Sequence, residues 1–163
     1  MILLWAVASG QLVHVLRCTS DVKHSTVSVA FNQDTTLLAS CISGHTKGNR
    51  GTIEIWEVAS GRLCQVLVRA GYIRSVTFSP NGIFLASNIE ETVQLWEVAS
   101  GQLVHVLQGG AVDSVVFSPD GTLLASGDRH GNVRLWSVGQ GTLIGTYLSL
   151  PGGEWLTYIP QGY

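Results

Sequence analysis

The amino-acid sequence predicts an all-β protein built of repeated four-stranded antiparallel sheets. Three observations support this. Segment 112–138 alternates apolar runs with tight turns, since Ser-Pro-Asp-Gly follows the first run and a polar, glycine-bearing stretch follows the second. Trp56, Trp96 and Trp136 stand forty residues apart, and the ten-residue string VASGQLVHVL occurs twice. A small meander cannot bury both of its faces, so the repeated units are expected to pack against one another.

The repeat assigns the elements in chain order. Residues 1–17 end one unit, 26–67, 73–107 and 112–147 form three complete units, and 154–163 start a further one. The predicted strands of the complete units are 26–31, 36–41, 52–57 and 62–67, then 73–78, 83–88, 92–97 and 102–107, then 112–117, 122–127, 132–137 and 142–147. Each strand is a short apolar run bounded by turn residues.

Composition excludes several classes of function. A net charge of −2 argues against a nucleic-acid partner, which requires a basic surface. No apolar run reaches the roughly 18 residues of a membrane span. The three cysteines lack CxxC spacing, so the sequence predicts neither a disulfide framework nor a zinc site. We expect a cytoplasmic protein with no cofactor.

The N-terminal string MILLWAVASG imitates a short signal peptide, but it lacks a basic start and its ending recurs inside the chain. We therefore predict a strand near Leu3–Val7.

At these motifs the chain resembles the WD-repeat family of β-propellers. The matching strings are SVAF, SVTFSPNG and SVVFSPDG at the start of each unit, LLASC, FLASN and LLASG in its middle, and IEIWEVASG, VQLWEVASG and VRLWSVGQG at its end. The terminal GEWLTYIPQGY is similar to the last-blade ending of bacterial WD-repeat proteins. The resemblance implies four-stranded blades around a central channel, here three full blades with split partial-blade strands at both ends. One strand is missing from a four-bladed ring, so we expect a partial propeller that is completed by another copy or by further blades.

The resemblance also implies a structural hydrogen-bond network within each blade. Its tryptophans and serines are present as Trp5, Trp56, Trp96, Trp136, Ser40, Ser87 and Ser126. The aspartate of the family's network, six residues before the tryptophan, is replaced by Arg50, Glu90 and His130. The sequence therefore predicts blades with less polar anchoring than is usual.

Candidate chemistry is sparse. Asp128 and His130 offer an acid and a base two residues apart, but a hairpin turn requires similar polar residues, and no nucleophile accompanies them. His14 and His105 recur at equivalent positions, which Gln65 and Gly145 occupy elsewhere, so we expect them to face solvent without a metal. We predict that the chain is not an enzyme.

The resemblance favours a non-enzymatic scaffold that presents its inter-blade loops to a protein or peptide partner. The predicted contacts are His45, Lys47, Arg50, Tyr72, Glu90, Glu91, Asp128, Arg129 and His130. Tyrosine and arginine are frequent anchors of protein interfaces. The alternative is a regulatory or sensor portion of a larger multidomain protein whose catalytic activity lies elsewhere.

Overall fold

The computed structural model describes residues 1–18, 25–43, 50–110, 112–150, 152 and 154–159, without the side chains of 25–27, 50, 68–70 and 155. Within them the chain forms fifteen strands in four antiparallel sheets. The first sheet contains β1 (Ile2–Ala6) and β2 (Gln11–Leu16), and the second contains β3 (Ser25–Phe31), β4 (Leu37–Ser43), β5 (Arg50–Glu57) and β6 (Leu63–Ala70). The third contains β7 (Ile73–Phe78), β8 (Phe84–Ile89), β9 (Thr92–Glu97) and β10 (Leu103–Gln108), and the fourth contains β11 (Val112–Phe117), β12 (Leu123–Asp128), β13 (Val133–Ser137), β14 (Thr142–Ser149) and β15 (Trp155–Tyr158).

The sheets confirm the predicted all-β, four-stranded blade architecture. Polar turns join the strands as their sequences require. In the third sheet, Ser79 Oγ accepts a hydrogen bond from the Phe84 N–H at 2.9 Å, and Gly82 adopts a φ of 71° in the same turn. Ser118 and Gly121 repeat this arrangement in the fourth sheet. The turn chemistry therefore fixes the hairpin register in both sheets.

The C-terminal strand differs from its predicted place. The sequence assigns 154–163 to the start of a further blade, but in the structure β15 pairs antiparallel with the end of β14. A short turn, closed by the Leu150 N–H donating to the Glu154 carbonyl at 2.8 Å, returns the chain to that edge. Backbone groups along an edge strand readily accept another strand. The fourth sheet therefore has five strands, and residues 160–163 lie outside the described part.

The core lies between neighbouring sheets. Three clusters of buried side chains join the first sheet to the second, the second to the third, and the third to the fourth. Each cluster contains one tryptophan, Trp56, Trp96 or Trp136, which faces the preceding sheet. Among the described residues no core cluster joins the fourth sheet back to the first. The sheets therefore form an open series of blades.

Each of these tryptophans is also held by a hydrogen bond within its own sheet. The indole N–H of the tryptophan donates to the Oγ of a serine on the neighbouring strand. The pairs are Trp56 with Ser40 at 3.1 Å, Trp96 with Ser87 at 3.1 Å, and Trp136 with Ser126 at 3.0 Å. The pairing satisfies a buried donor that would otherwise cost about 1–3 kcal/mol. Tryptophan and serine therefore persist as a pair although the family's aspartate is absent.

Residues of the outermost strands connect successive sheets at the rim. His14 Nε2 lies 3.1 Å from the carbonyl oxygen of Ala59 in the next sheet. The Gln65 side-chain amide donates its N–H to the Val98 carbonyl at 3.1 Å, and its oxygen accepts from the Gly101 N–H at 3.1 Å. His105 lies so close to Gly141 that a Cβ on this glycine would overlap its ring. His14 and His105 are therefore half-buried, each with its ring against a turn of the following sheet and not fully in solvent as expected.

Candidate interaction face

A cleft forms where turns from the third and fourth sheets meet at one end of the strands. Its volume is about 170 Å³, and it is lined by Tyr72, Arg74, Glu90, Glu91, Val112 and Arg129. Tyr72 precedes β7, the two glutamates form the turn between β8 and β9, and Arg129 follows β12. Four of the predicted partner contacts, Tyr72, Glu90, Glu91 and Arg129, therefore meet in one place.

The backbone holds Tyr72 against the glutamate turn. The Glu90 N–H donates to the Tyr72 carbonyl at 3.0 Å, and Glu90 adopts a φ of 54°, in the left-handed region. A Cβ on Gly71 would lie only 2.7 Å from Glu90 Oε1. Gly71 is therefore required for the glutamate side chain to pack across the preceding loop. A non-glycine residue at positive φ costs of order 1 kcal/mol, and such strain is concentrated at functional sites.

Asn88 supports the floor of the cleft, and sequence reasoning missed it. This fully buried side chain accepts hydrogen bonds at Oδ1 from the backbone N–H groups of Arg74, at 3.1 Å, and Ser75, at 2.6 Å. Its Nδ2 donates to the Val112 carbonyl at 2.6 Å. Asn88 therefore joins the third sheet to the first residue of the fourth. The available signal was an asparagine at the strand position where the other complete units have Cys41 and Gly127.

The cleft carries both signs of charge. Arg74 Nη1 lies 2.8 Å from Asp113 Oδ1, in an ion pair that is largely open to solvent and worth at most about 1 kcal/mol. Arg129, Glu90 and Glu91 are exposed beside it. A second cleft of about 510 Å³ lies across the same glutamate turn, lined by Ile89, Glu90, Glu91, Thr92, Gln94 and Gln108. The two glutamates therefore form a ridge between two recesses.

Asp128 serves its own turn. Its Oδ1 accepts from the backbone N–H groups of His130, at 2.9 Å, and Asn132, at 3.0 Å, and its Oδ2 accepts from Asn132 Nδ2 at 2.9 Å and from Arg134 Nη1 at 3.2 Å. Partial burial raises the pKa of the Asp128 carboxyl, but these hydrogen bonds outweigh it and leave the pKa below its ordinary value. This carboxylate therefore positions the turn that carries Arg129.

Four predicted contacts remain, and only one of them has a described side chain. His130 is exposed on the Asp128 turn, outside the residues that line the cleft. Arg50 begins β5, and its side chain lies outside the described residues, as do His45 and Lys47. Their role in partner binding remains a prediction.

The described residues contain no group of three or more histidine, cysteine, aspartate or glutamate side chains placed to hold a metal ion. In the same part of the chain no helix is long and apolar enough to cross a membrane.

These features define a repeat protein of consecutive antiparallel sheets, with irregular turns gathered into clefts at one end. The family model described as WD domain, G-beta repeat, matches residues 10–57, 61–97 and 101–137, which is more than half of the chain. The chain therefore belongs to the WD-repeat family, whose members generally act as non-catalytic scaffolds for protein interactions. No curated protein matches the chain significantly. Each matched segment joins the last strand of one sheet to the first three of the next.

Proposed function

We propose that this chain is a non-enzymatic interaction module that binds a protein or peptide segment at the cleft formed by Tyr72, Arg74, Glu90, Glu91, Val112 and Arg129. The observation that carries the proposal is the convergence of exposed Tyr72 and Arg129 on a site whose floor is fixed by Asn88. Tyrosine and arginine supply large contact areas at interfaces, and a fixed floor reduces the conformational entropy lost on binding.

The charges of the cleft indicate the character of the bound segment. Arg129 and Arg74 offer donors to a carboxylate, whereas Glu90 and Glu91 accept from a lysine or arginine on the other side. Tyr72, half exposed in the same cleft, offers an aromatic surface. These groups favour a short peptide that carries an acidic, a basic and an apolar residue.

The test is selection from a random peptide library displayed on phage, followed by titration of the enriched peptide against variants of the chain. We expect Tyr72→Ala and Arg129→Ala each to weaken binding by about tenfold or more, the loss typical of an interface anchor. The thermal melt should remain unchanged, because both side chains are exposed.

Gln33→Ala is the matched control. Gln33 lines a cleft of about 480 Å³ at the opposite end of the strands, with Asn32, Asp34, Pro80, Asn81 and Gly82. Binding by this variant should equal that of the unaltered chain. An enriched peptide that loses affinity with Gln33→Ala but keeps it with Tyr72→Ala and Arg129→Ala would place the binding face at the wrong end.

A further inference from the structure

The residue two positions before the buried tryptophan differs between the third and fourth sheets. In the fourth sheet it is Arg134, which pairs with Ser126 across β12 and β13, and in the third it is Gln94, which pairs with Ser87 across β8 and β9. Arg134 is long enough to reach the turn of its own sheet, where its Nη1 donates to Asp128 Oδ2 at 3.2 Å. Gln94 is shorter, and its buried Oε1 has no hydrogen-bond partner among the described residues.

The cleft of about 510 Å³ beside Gln94 has walls that are fixed by two hydrogen bonds. The Gly109 N–H donates to the Glu91 carbonyl at 3.1 Å, and the Thr92 hydroxyl donates to the Ile89 carbonyl at 2.9 Å. Both carbonyls therefore already have a donor. We call this cleft the glutamine recess; it is lined by Ile89, Glu90, Glu91, Thr92, Gln94 and Gln108.

The side chains of the glutamine recess are rich in acceptors. The carboxylates of Glu90 and Glu91 are exposed, and Gln94 is half-buried between the strands. None of the described lining residues carries a positive charge. A buried acceptor without a donor is unfavourable, and the last side-chain torsion of a glutamine is soft enough to turn the Gln94 oxygen into the recess. The recess is therefore complementary to a cation with several N–H donors.

We propose that the glutamine recess binds the guanidinium group of an arginine in the partner segment. The arginine belongs to the segment that the proposed function assigns to the neighbouring cleft, so this site rests on that function and names the residue that crosses the ridge of Glu90 and Glu91. A guanidinium presents five N–H donors in one plane and can serve a carboxylate and an amide oxygen together. The fourth sheet supplies the internal model, because a turn carboxylate there already holds Arg134.

The probe is N-acetyl-arginine amide, a single blocked arginine, which is titrated into the full chain while side-chain amide NMR resonances are recorded. We expect a saturable shift of the Gln94 resonance with a Kd on the order of 1 mM, as is typical of so small a ligand. Gln94→Leu identifies that resonance and should bind the probe about fivefold more weakly, measured by the heat of binding. The blocked lysine should bind at least threefold more weakly than the blocked arginine, because its compact ammonium has a tighter hydration shell and no planar fork.

Gln94→Arg is the most informative variant, because it gives the third sheet the residue that the fourth sheet already has. The new side chain fills the recess from within, so binding of the blocked arginine should be lost while the melting temperature stays close to that of the unaltered chain. Glu91→Gln should weaken binding about threefold, since it removes one exposed charge. Glu97→Gln, at the opposite end of β9, is the matched control and should bind normally. If Gln94→Arg folds poorly, Gln94→Leu and Glu91→Gln still test the site.

The two proposals fail in different ways. Tyr72→Ala and Arg129→Ala should leave binding of the blocked arginine unchanged, because both residues line the other cleft and not the recess. A selected peptide that is insensitive to both variants would refute the proposed function alone. Replacing the arginine of that peptide by alanine should cost about tenfold in affinity against the unaltered chain and nothing against Gln94→Arg.

Four results would overturn the arginine site. They are the absence of a saturable shift with the blocked arginine, equal affinity for the blocked lysine, binding that survives Gln94→Arg, and selected peptides without an arginine. The chain's own cations are tested with Arg50→Ala and Arg69→Ala, whose native side chains lie outside the described residues. Both variants should bind the probe as the unaltered chain does. Binding that appears only in one of them would show that the replaced arginine, and not a partner, occupies the recess.

Discussion

Trp5 and Trp96 begin two nearly identical stretches of sequence, yet they have opposite environments. Each tryptophan is followed by one differing residue and then by the same ten-residue string, VASGQLVHVL. Trp96 is buried against the second sheet and hydrogen-bonded to Ser87, whereas Trp5 is exposed on a sheet of two strands. The repeat therefore sets the local conformation, and the neighbouring sheet sets burial.

The largest difference is expected between Trp96→Ala and Trp5→Ala. Removing Trp96 leaves a cavity between two sheets and an unpaired Ser87 hydroxyl, which should cost about 3–5 kcal/mol. Removing Trp5 should cost less than about 1 kcal/mol, as at other exposed positions. Urea denaturation followed by circular dichroism measures both. Equal losses of stability for the two variants would contradict the interpretation that Trp5 is uncovered.

Asn88→Ala tests the polar link between the third and fourth sheets. The substitution removes the side-chain amide that hydrogen-bonds the Arg74 and Ser75 N–H groups and the Val112 carbonyl. The expected loss in free energy of unfolding is about 1–3 kcal/mol. The fourth sheet has Gly127 at the equivalent position. Gln102→Ala, on an exposed turn, is the control and should leave the melting temperature unchanged. A melt of Asn88→Ala that coincides with this control would exclude the link.

Gly101→Ala and Gly10→Ala compare a packed turn with an open one. Both glycines have a positive φ, 69° and 65°, so alanine is strained at either site by about 1 kcal/mol. At Gly101 the new Cβ would also overlap the Gln65 amide from the preceding sheet, whereas at Gly10 it meets no atom within 4 Å. We therefore expect Gly101→Ala to be the more destabilising in thermal melts. The reverse order would show that Gln65 makes no effective contact.

The smallest effect concerns pH. The pKa of Asp128 is lower in the folded chain than in the unfolded one, so its stabilising contribution is complete above the unfolded value and is lost as the pH falls through the folded value. Asp128→Asn should reduce stability at pH 7 and make it less dependent on pH below about 4. Melting temperatures between pH 2.5 and 7 measure this. Parallel profiles for the variant and the unaltered chain would mean that Asp128 does not contribute in this way.

The strands and the tryptophan–serine pairs were accessible from sequence because each depends on residues close along the chain. The Glu90–Glu91 turn brings Ser87 beside Trp96 within one hairpin, and the turn after Asp128 does the same for Ser126 and Trp136. The cleft was accessible in part, since Tyr72, Glu90, Glu91 and Arg129 stand out as irregular residues in turns. Asn88 and Arg74 were missed because their roles depend on Val112 and Asp113 in another sheet.

The rim contacts and the pairing of β15 also depend on residues that are not neighbours in the local sequence pattern. A histidine on an outer strand looks solvent-facing until the next blade brings Ala59 within 3.1 Å of His14. Trp155–Tyr158 looks like an inner strand by alignment, but it pairs where a free edge lies within reach of a short turn.

The all-β class, the forty-residue period, the turns and the family resemblance can be predicted from the amino-acid sequence, because alternation, proline, glycine and side-chain size act over a few neighbouring residues. The burial of each tryptophan, the edge that β15 joins and the meeting of turns in the cleft follow from how the sheets pack and not from the local sequence. These properties depend on contacts between distant parts of the chain: Trp96 packs against the second sheet, whereas Trp5 belongs to none of the core clusters of the described residues.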